Sequence, residues 1–525
     1  MAAVVTGQNS LALAADPRPK LKIGLFADAR LQPRWIVEAF AKVALSEFAE
    51  IACLAAGDAR ASRLPWPWQL YAKLDRWAFG ADLTEELDLV EHVPHAQEAG
   101  DLDVAFAIGG IDDAQLDGIA RYGVWRFHFN GEPEALAGLH EVARDVALAG
   151  SGLRVRLACG AAPRLAYQSW SRTYPLSAAR NRGQLLRKTA ELPWRALREL
   201  HRSGHGWLEQ CRAVQLSEEK NCELKTKDLV GIGGRILRRG VEKALHVEQW
   251  FLAWRLGGRR GALSIPPDLA GFTRVVPPKD RTWADPFAIE KGGRHFVFFE
   301  ELPFASRKAH IAMIEIGRDG RWSAPVRVLE RDYHLSYPFL VESEGQLYMI
   351  PESAQNRSVE LWRCVDFPLR WKLERVLLEG VRCVDATFHR CADRWWMFAN
   401  CAAGESRVFD DELHLFHAER LLGEWQPHRR NPVKSDARCA RPAGQLYWHN
   451  GALYRPAQIC VPRYGAGLSI NRVLRLTPQE YAERQVERVL PASSGTCGDG
   501  LLGIHTVNRA GYLTVVDAFA RRRRI

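Results

Sequence analysis

Between Trp283 and Asp517 the chain alternates short apolar or aromatic runs with tight-turn signals, and the pattern returns five times without repeating its residues. Trp283-Ala-Asp-Pro-Phe287 passes through Gly292-Gly293 to Phe296-Val-Phe-Phe-Glu-Glu301, and Tyr337-Pro-Phe-Leu340 passes through Gly345 to Leu347-Tyr-Met-Ile-Pro-Glu352. Asp385-Ala-Thr-Phe388 leads through Asp393-Arg394 to Trp395-Trp-Met-Phe-Ala-Asn400, and Arg441-Pro-Ala-Gly444 through Asn450-Gly451 to Leu453-Tyr-Arg-Pro-Ala-Gln458. Gly503-Ile-His-Thr506 leads through Gly511 to Tyr512-Leu-Thr-Val-Val-Asp517. Apolar strands joined by turns of this type are hairpins, and hairpins recurring at roughly fifty-residue intervals predict the blades of a five-bladed β-propeller.

The polar positions carry the functional signal. Asp285, Tyr337, Asp385, Arg441 and His505 open the first strand of each unit, while Glu300, Glu352, Asn400, Gln458 and Asp517 close the second. Innermost strands of a propeller surround its axis, so equivalent positions from all blades converge at one end of the channel. A lone aspartate there is more often a strand cap; a set that is polar at every aligned position predicts a ligand pocket.

The first part of the chain has a different period. Leu21–Ala27 reads as a buried strand, Pro33–Ala44 has apolar residues at helical spacing, and Phe48–Ala55 reads as a second strand. Strand, helix, strand predicts a parallel sheet with crossover helices. No Gly-x-Gly-x-x-Gly follows the first strand, so the dinucleotide fingerprint is absent. The aromatic, Pro-rich stretch from Leu64 through Trp77 reads as an insertion whose tryptophans pack locally, and Ser177–His201 as an amphipathic helix interrupted at Pro193. Residues 206–245 read as a helical connector in which Gly231-Ile-Gly-Gly234 is too weak to be a phosphate loop, and His246–Arg255 as an outer strand that opens the first blade or closes the ring.

Composition narrows the class. A chain of 525 residues with 47% hydrophobic and 26% charged residues is a globular protein of two or three domains. The net charge of +10 favours anionic partners, among them nucleotide-linked sugars, acidic glycans or a membrane surface, and part of it sits in Arg521–Arg524, which reads as a basic tail at 521–525. The eleven cysteines form no Cys-x-x-Cys pair and no zinc spacing, which predicts free thiols, no structural metal and a cytoplasmic location, peripheral to the inner membrane at most. No apolar run is long enough for a membrane helix. Residues 1–20 read as a disordered leader, 21–205 as the α/β domain and 246–520 as the propeller.

Two resemblances add to this reading. Leu21–Ala27, Asp103–Gly110 and Tyr122-Gly-Val-Trp-Arg-Phe-His-Phe-Asn-Gly131 resemble the Rossmann-like N-terminal domain of methionyl-tRNA and sugar N-formyltransferases. That family uses an Asn, a His two residues later and a downstream Asp around formyl-tetrahydrofolate. Here His128 matches the His, Arg126 stands at the Asn position, and Leu153–Pro163 offers no carboxylate. The resemblance therefore implies an inactive remnant and no cofactor, because a concerted set loses most of its rate enhancement when members are removed.

Glu248-Gln-Trp-Phe251, Trp283–Phe287, Ser336–Phe339, Ile350–Ser353, Arg441–Gly444 and Gly503–Thr506 together resemble the N-terminal region of plant glucosamine inositolphosphorylceramide transferases and bacterial relatives. That region is similar in architecture to family 43 glycoside hydrolases, which implies an Asp base in blade one, an Asp in blade three and a Glu acid in blade four. Asp285 and Asp385 occupy the first two places; blade four offers Arg441 and Gln458 but no aligned Glu.

Glycosyl chemistry needs a carboxylate to activate a hydroxyl and, for a poor leaving group, an acid. Asp285 is the candidate base and Glu352 the candidate acid, with Glu300 behind it; Asp385 completes the carboxyl set. Arg441, Arg455 and His505 would neutralise a departing phosphate, Gln458 would bind substrate, and Tyr337 would stack on a sugar ring. The sequence thus predicts transfer of a sugar from a phosphate-linked donor in polysaccharide or glycolipid assembly. The alternatives are a five-bladed glycoside hydrolase and a non-catalytic glycan or nucleotide-sugar binding scaffold; nucleic acid is not an expected partner.

Overall fold

A computed structural model describes residues 18–58, 65–79, 85–96, 100–129, 132–133, 146, 152–159, 163–213, 226–257, 263–267, 269–402, 409–491 and 501–524. The chain divides into two compact units, Met1–Leu237 and Arg238–Ile525. Of the predicted leader 1–20, residues 1–17 lie outside the described residues, while Arg18 donates to the His201 carbonyl at 2.8 Å and Lys20 to the Ser46 carbonyl at 3.0 Å.

The first unit is built on one mixed sheet. Its strands run in the order Ala49–Ala56, Leu21–Ala27, Val104–Ile108, Val124–Phe129, Gly152–Cys159 and Arg164–Arg172. The first four are parallel and the last two antiparallel. Val104–Ile108 is buried at every position, which is why it reads as an unbroken apolar run. The crossover helix Arg34–Ala44 turns Trp35, Ile36, Val37, Phe40 and Val43 onto the sheet. Phe40 meets Phe106 edge-on at 4.9 Å, and Trp35 meets Phe127 at 5.3 Å.

Two readings of this unit are corrected, and the rejection of a phosphate loop at Gly231–Gly234 stands. Ser177–His201 is two helices, Ala178–Thr189 and Leu192–Ser203, because Pro193 fits only the first turn of a helix and so starts the second one. Gly231–Gly234 lies inside the helix Thr226–Leu245, with no loop for a phosphate. Trp66–Phe79 is also a helix; Trp68 is buried, whereas Trp66 and Trp77 project into solvent rather than packing locally.

The second unit is the five-bladed propeller. Blade one comprises Arg281–Lys291, Arg294–Pro303, His310–Ile316 and Val326–Leu329, and blade two Ser336–Ser343, Gln346–Ser353, Ser358–Asp366 and Arg370–Glu379. Blade three is built from Cys383–Cys391, Arg394–Cys401 and Glu412–Ala418 with short outer strands, and blade four from Tyr447–His449, Ala452–Ile459, Gly467–Leu476 and Tyr481–Val489. Blade five draws on both ends of the unit. Leu501–Gly503 and Val507–Ala510 pair with Leu513–Arg523, which pairs antiparallel with His246–Leu256, flanked in turn by Thr273–Val275.

Ring closure corrects two expectations. His246–Leu256 closes the ring, but as the third strand of its sheet, with Thr273–Val275 outside it. The supposed basic tail is the end of the sealing strand: Arg521, Arg522 and Arg523 pair with Glu248, Val247 and His246. The Arg521 side chain lies 3.1 Å from both Glu248 and Glu242, and Arg522 donates to Gln249 at 2.6 Å. Charge alone marked a solvated run; backbone pairing with His246–Leu256 and the carboxylates of Glu248 and Glu242 make it part of the sheet.

Candidate active site

The inner strands of blades one to three break their ladder at the same place. Pairing is interrupted between Ala284 and Phe287, between Ser336 and Phe339, and between Val384 and Thr387. Each bulge puts one side chain at positive φ: Asp285 at 52°, Tyr337 at 44° and Asp385 at 52°. A left-handed non-glycine residue costs roughly 1–3 kcal/mol, and such residues cluster where a fold aims a side chain against its local preference. The residues before them pair with Glu300, Glu352 and Asn400, so the two aligned polar rows are one structural ring.

A cavity of about 240 Å³ opens there, lined from blade one by Asp285 and Glu300, from blade two by His334 and Glu352, from blade four by Arg441 and Tyr464, and from blade five by Trp250 and His505. Asp285 lies under a tight set of bonds. Asp517 accepts from the backbone amides of Asp285 at 2.9 Å, His505 at 3.0 Å and Thr506 at 2.9 Å, and its Oδ2 lies 2.5 Å from His505 Nδ1. The Thr506 hydroxyl donates to Asp285 Oδ1 at 2.8 Å, and His505 Nε2 sits 3.8 Å from the same oxygen. Trp250 stacks on His505 at 3.9 Å and fixes the ring plane.

A second group lies on the other side. Arg441 donates from Nε to Asp385 at 2.6 Å and from Nη1 to the Phe409 carbonyl at 2.9 Å, while its guanidinium covers the Tyr464 ring at 4.7 Å. Gln458 donates to Asp385 at 2.7 Å and to the Pro442 carbonyl at 2.9 Å. His334 Nε2 is 3.3 Å from Glu300.

Burial raises the proton affinity of two carboxyls here, Glu352 and Asp285. Burial, and after it Asp385, pushes Glu352 up to about 8, against the Arg441 charge. Asp285 is raised well above the usual carboxyl range by burial, with the His505 charge opposing and Asp385 and Asp517 adding to the rise. Burial would lower both histidines, but the hydrogen bond to Glu300 takes His334 to about 9, and Asp517 with Asp285 takes His505 to about 9. The native state therefore binds more protons than the unfolded chain, Glu352 from pH 4.5 to 8 and the histidines from pH 6.5 to 9. Stability falls as pH rises wherever the native state is the better proton binder. Denaturant midpoints measured in steps from about pH 6.5 to 9 are expected to decline, with His505→Gln reducing the slope; a level profile contradicts the assignment.

The candidate metal ligands among the described residues are Asp285, His505 and Asp517, whose ligand atoms lie within 4.8 Å of one another. The His505–Asp517 contact and the three amides on Asp517 already occupy that donor set, which suits a shared proton better than an ion.

The cavity brings together Asp285, Glu300, Glu352, Arg441 and His505. Asp385 and Gln458 are buried beneath Arg441 and hold it rather than line the space. Two substrate-binding assignments are corrected. Tyr337 is wholly buried: its ring packs on Phe287, and its hydroxyl bonds Thr387 Oγ1 and the Gly444 amide, both at 2.7 Å, so it ties blade two to blades three and four and stacks on no sugar. Arg455 lies in the interior of blade four, where Glu483 and the carbonyls of Ala440 and Cys439 take up its guanidinium. Arg455 and Gln458 are three apart on one strand, and an odd offset puts them on opposite faces. His334, Trp250, Tyr464, Thr506 and Asp517 were not in the predicted site. Asp517 stood in the aligned polar row; His334 precedes its strand by two residues, and Trp250 lies in the stretch read as an outer strand.

In the first unit Arg126 and His128 are buried on the strand Val124–Phe129. Arg126 donates to the Gly109 carbonyl at 3.0 Å and also to that of Ile111, so its guanidinium binds the loop after Val104–Ile108.

A cavity walled by paired carboxyls and fixed cations is thus the candidate site of this five-bladed propeller. Residues 277–499 match the family described as glucosamine inositolphosphorylceramide transferase 1, N-terminal. The chain is similar to glucosamine inositolphosphorylceramide transferase 1 of Arabidopsis thaliana, 32% identical over 227 residues, which is 43% of this chain and 29% of that protein. The protein of the same name from Oryza sativa subsp. japonica is 32% identical over 203 residues, 38% of this chain and 27% of that protein. The chain thus spans less than a third of the length of either relative. Among solved structures, a family 117 glycoside hydrolase of Zobellia galactanivorans is 11% identical, over 52% of this chain and 90% of that one, with a TM-score of 0.33. The catalytic domain of a Coprinopsis cinerea GH62 α-L-arabinofuranosidase is 10% identical, over 51% and 97%, with a TM-score of 0.34.

The N-terminal α/β unit has a sheet and helices of its own, and no helix among the described residues is long and apolar enough to cross a membrane.

Proposed function

We propose that the propeller cavity transfers a glycosyl group from a phosphate-linked donor, such as a nucleotide sugar, to a hydroxyl of a glycolipid or polysaccharide acceptor. The observation that carries this reading is the meeting of a proton-seeking carboxyl, Asp285, with a fixed arginine, Arg441, and a protonated histidine, His334, in one cavity. Similarity to transferases named for an inositolphosphorylceramide acceptor supports the same direction.

In this mechanism Asp285 takes the proton of the acceptor hydroxyl as its oxygen bonds to the anomeric carbon. The anomeric C–O bond breaks with its electron pair leaving on the donor phosphate. Raised basicity suits Asp285 to that proton, and the neighbouring His505 charge steadies the carboxylate before the step. Arg441 and His334 neutralise the departing phosphate, which needs no acid. Glu352, neutral below about pH 8, donates a hydrogen bond without repelling the phosphate.

Incubation with a panel of nucleotide sugars is expected to release nucleoside diphosphate. Turnover should fall above about pH 8 as Glu352 loses its proton, and Glu352→Gln should keep activity while flattening that limb. Cleavage of aryl glycosides, abolished by Glu352→Gln, would favour a hydrolase; thermal stabilisation by sugars without turnover would favour a binding scaffold.

The first unit is, on this reading, a formyltransferase-like fold without formyl transfer, because Arg126 stands where that family has an Asn and is committed to loop carbonyls. A cytoplasmic location follows from the cysteine pattern. Formyl-tetrahydrofolate consumption lost in His128→Ala would overturn the reading of the first unit alone.

A further inference from the structure

The helix Trp66–Phe79 has two apolar faces, and the fold of its unit uses only one of them. Trp68, Tyr71 and Asp75 turn inward: the Tyr71 hydroxyl donates to the Leu176 carbonyl and accepts from the Ala178 amide at 3.2 Å, and Asp75 accepts from the Ala179 amide at 2.7 Å. These bonds lock the helix to the start of the helix Ala178–Thr189, so its outer face is held in place. On that face stand Trp66, Leu70, Leu74 and Trp77, spaced four, four and three apart, which aligns them in a stripe about 16 Å long. Trp66 is 75% exposed and Trp77 is 88% exposed, extreme values for the largest apolar side chain.

Charge selects the occupant. The only acidic residue of the helix, Asp75, is on the buried face, so every exposed charge on the helix, Lys73 and Arg76, is positive. Arg180, covering the Tyr174 ring at 4.4 Å where Tyr174 meets Phe79, continues the basic rim at the C-terminal end. A protein partner could meet the apolar stripe alone; the stripe bounded by tryptophans and edged by cations matches the boundary between acyl chains and anionic headgroups. We propose that Trp66, Leu70, Leu74 and Trp77, with Lys73 and Arg76, form a docking surface for an anionic phospholipid bilayer. The surface is distinct from Arg521–Arg524, and its argument is independent of the propeller chemistry.

The test is co-sedimentation of the full chain with vesicles rich in phosphatidylglycerol or made of phosphatidylcholine alone. Wild type is expected to sediment with the former and less with the latter. Trp66→Ser/Trp77→Ser should weaken binding roughly tenfold or more, and Lys73→Glu/Arg76→Glu should remove the preference for phosphatidylglycerol. All four positions are exposed, and an unchanged denaturation midpoint with Leu70→Glu as a further variant separates lost binding from lost folding. Asp285→Asn, expected to lose transfer, should still bind vesicles, which keeps failure here distinct from failure of the transfer reading. Wild type that stays in the supernatant, tryptophan variants that bind as wild type does, or a preference untouched by the charge reversal would overturn the proposal. A dimer that the tryptophan variants dissociate, without vesicle binding, would give the face to a second copy instead.

Discussion

Asp285→Asn is expected to reduce nucleoside diphosphate release by about 10²–10⁴-fold while leaving the fold intact. The amide is isosteric and keeps the bond from the Thr506 hydroxyl, and the Asp285 backbone amide still donates to Asp517. What disappears is the proton acceptor. Asn also tolerates positive φ as well as Asp does, so the bulge is undisturbed. A variant with normal denaturation and normal turnover would remove Asp285 from the mechanism, and with it the assignment of the cavity as a transfer site.

The largest effect on stability is expected at a residue that does not line that cavity. Arg455→Ala should cost about 3–5 kcal/mol, read as a lowered guanidinium chloride midpoint, because it leaves a buried acid short of its main partner. Glu483 receives Arg455 at 2.6 and 2.8 Å, Lys434 at 2.5 Å and the Tyr481 hydroxyl at 2.5 Å, with essentially no solvent on any side of the pair. Burial alone would raise this carboxyl; Arg455 and Lys434 instead hold it down to about 2. A depressed acid contributes stability above its unfolded value near 4.5 and loses it as pH falls toward 2, so the wild type should soften in acid and the variant less so. Arg370→Ala, which removes an exposed i,i+4 pair with Asp366, should change nothing measurable. Equal effects from the two variants would refute the distinction.

The contrast between Arg455 and Arg441 shows where sequence reading stops. Hairpin spacing made the blades legible, and the alignment of the repeats made Asp285 and Asp385 legible, because the bulge recurs, with pairing resuming two residues on at Phe287 and Thr387. The pairing of Ala284 with Glu300 and of Ser336 with Glu352 follows from the same count. Face was not legible. Arg455 and Gln458 sit on one strand beside the cavity, but parity sends only Gln458 toward the axis, and a Pro456 between them blurs the alternation. Tyr337 holds the same bulge as Asp285 yet fills interior space, since a large ring finds apolar partners in Phe287 and Phe339 where a carboxyl finds charge. His334 and Tyr464 come from connections between strands, where no period marks which residues turn inward. In the first unit, period-2 and period-3.6 patterns located strands and helices, but a run of tryptophans carried no sign of which would be covered.

Asp517 sits in the strand that seals the ring, where Arg521 pairs with Glu248, 273 residues earlier in the chain. Its carboxyl is the common acceptor for the amides of Asp285, His505 and Thr506. A nascent chain with Leu513–Arg523 still inside the ribosome has finished four blades but lacks the carboxyl that binds His505 Nδ1 and the Asp285 amide. The site's shared acceptor therefore arrives with topological completion, and a product clipped before Leu513 is expected to lack both ring closure and that acceptor.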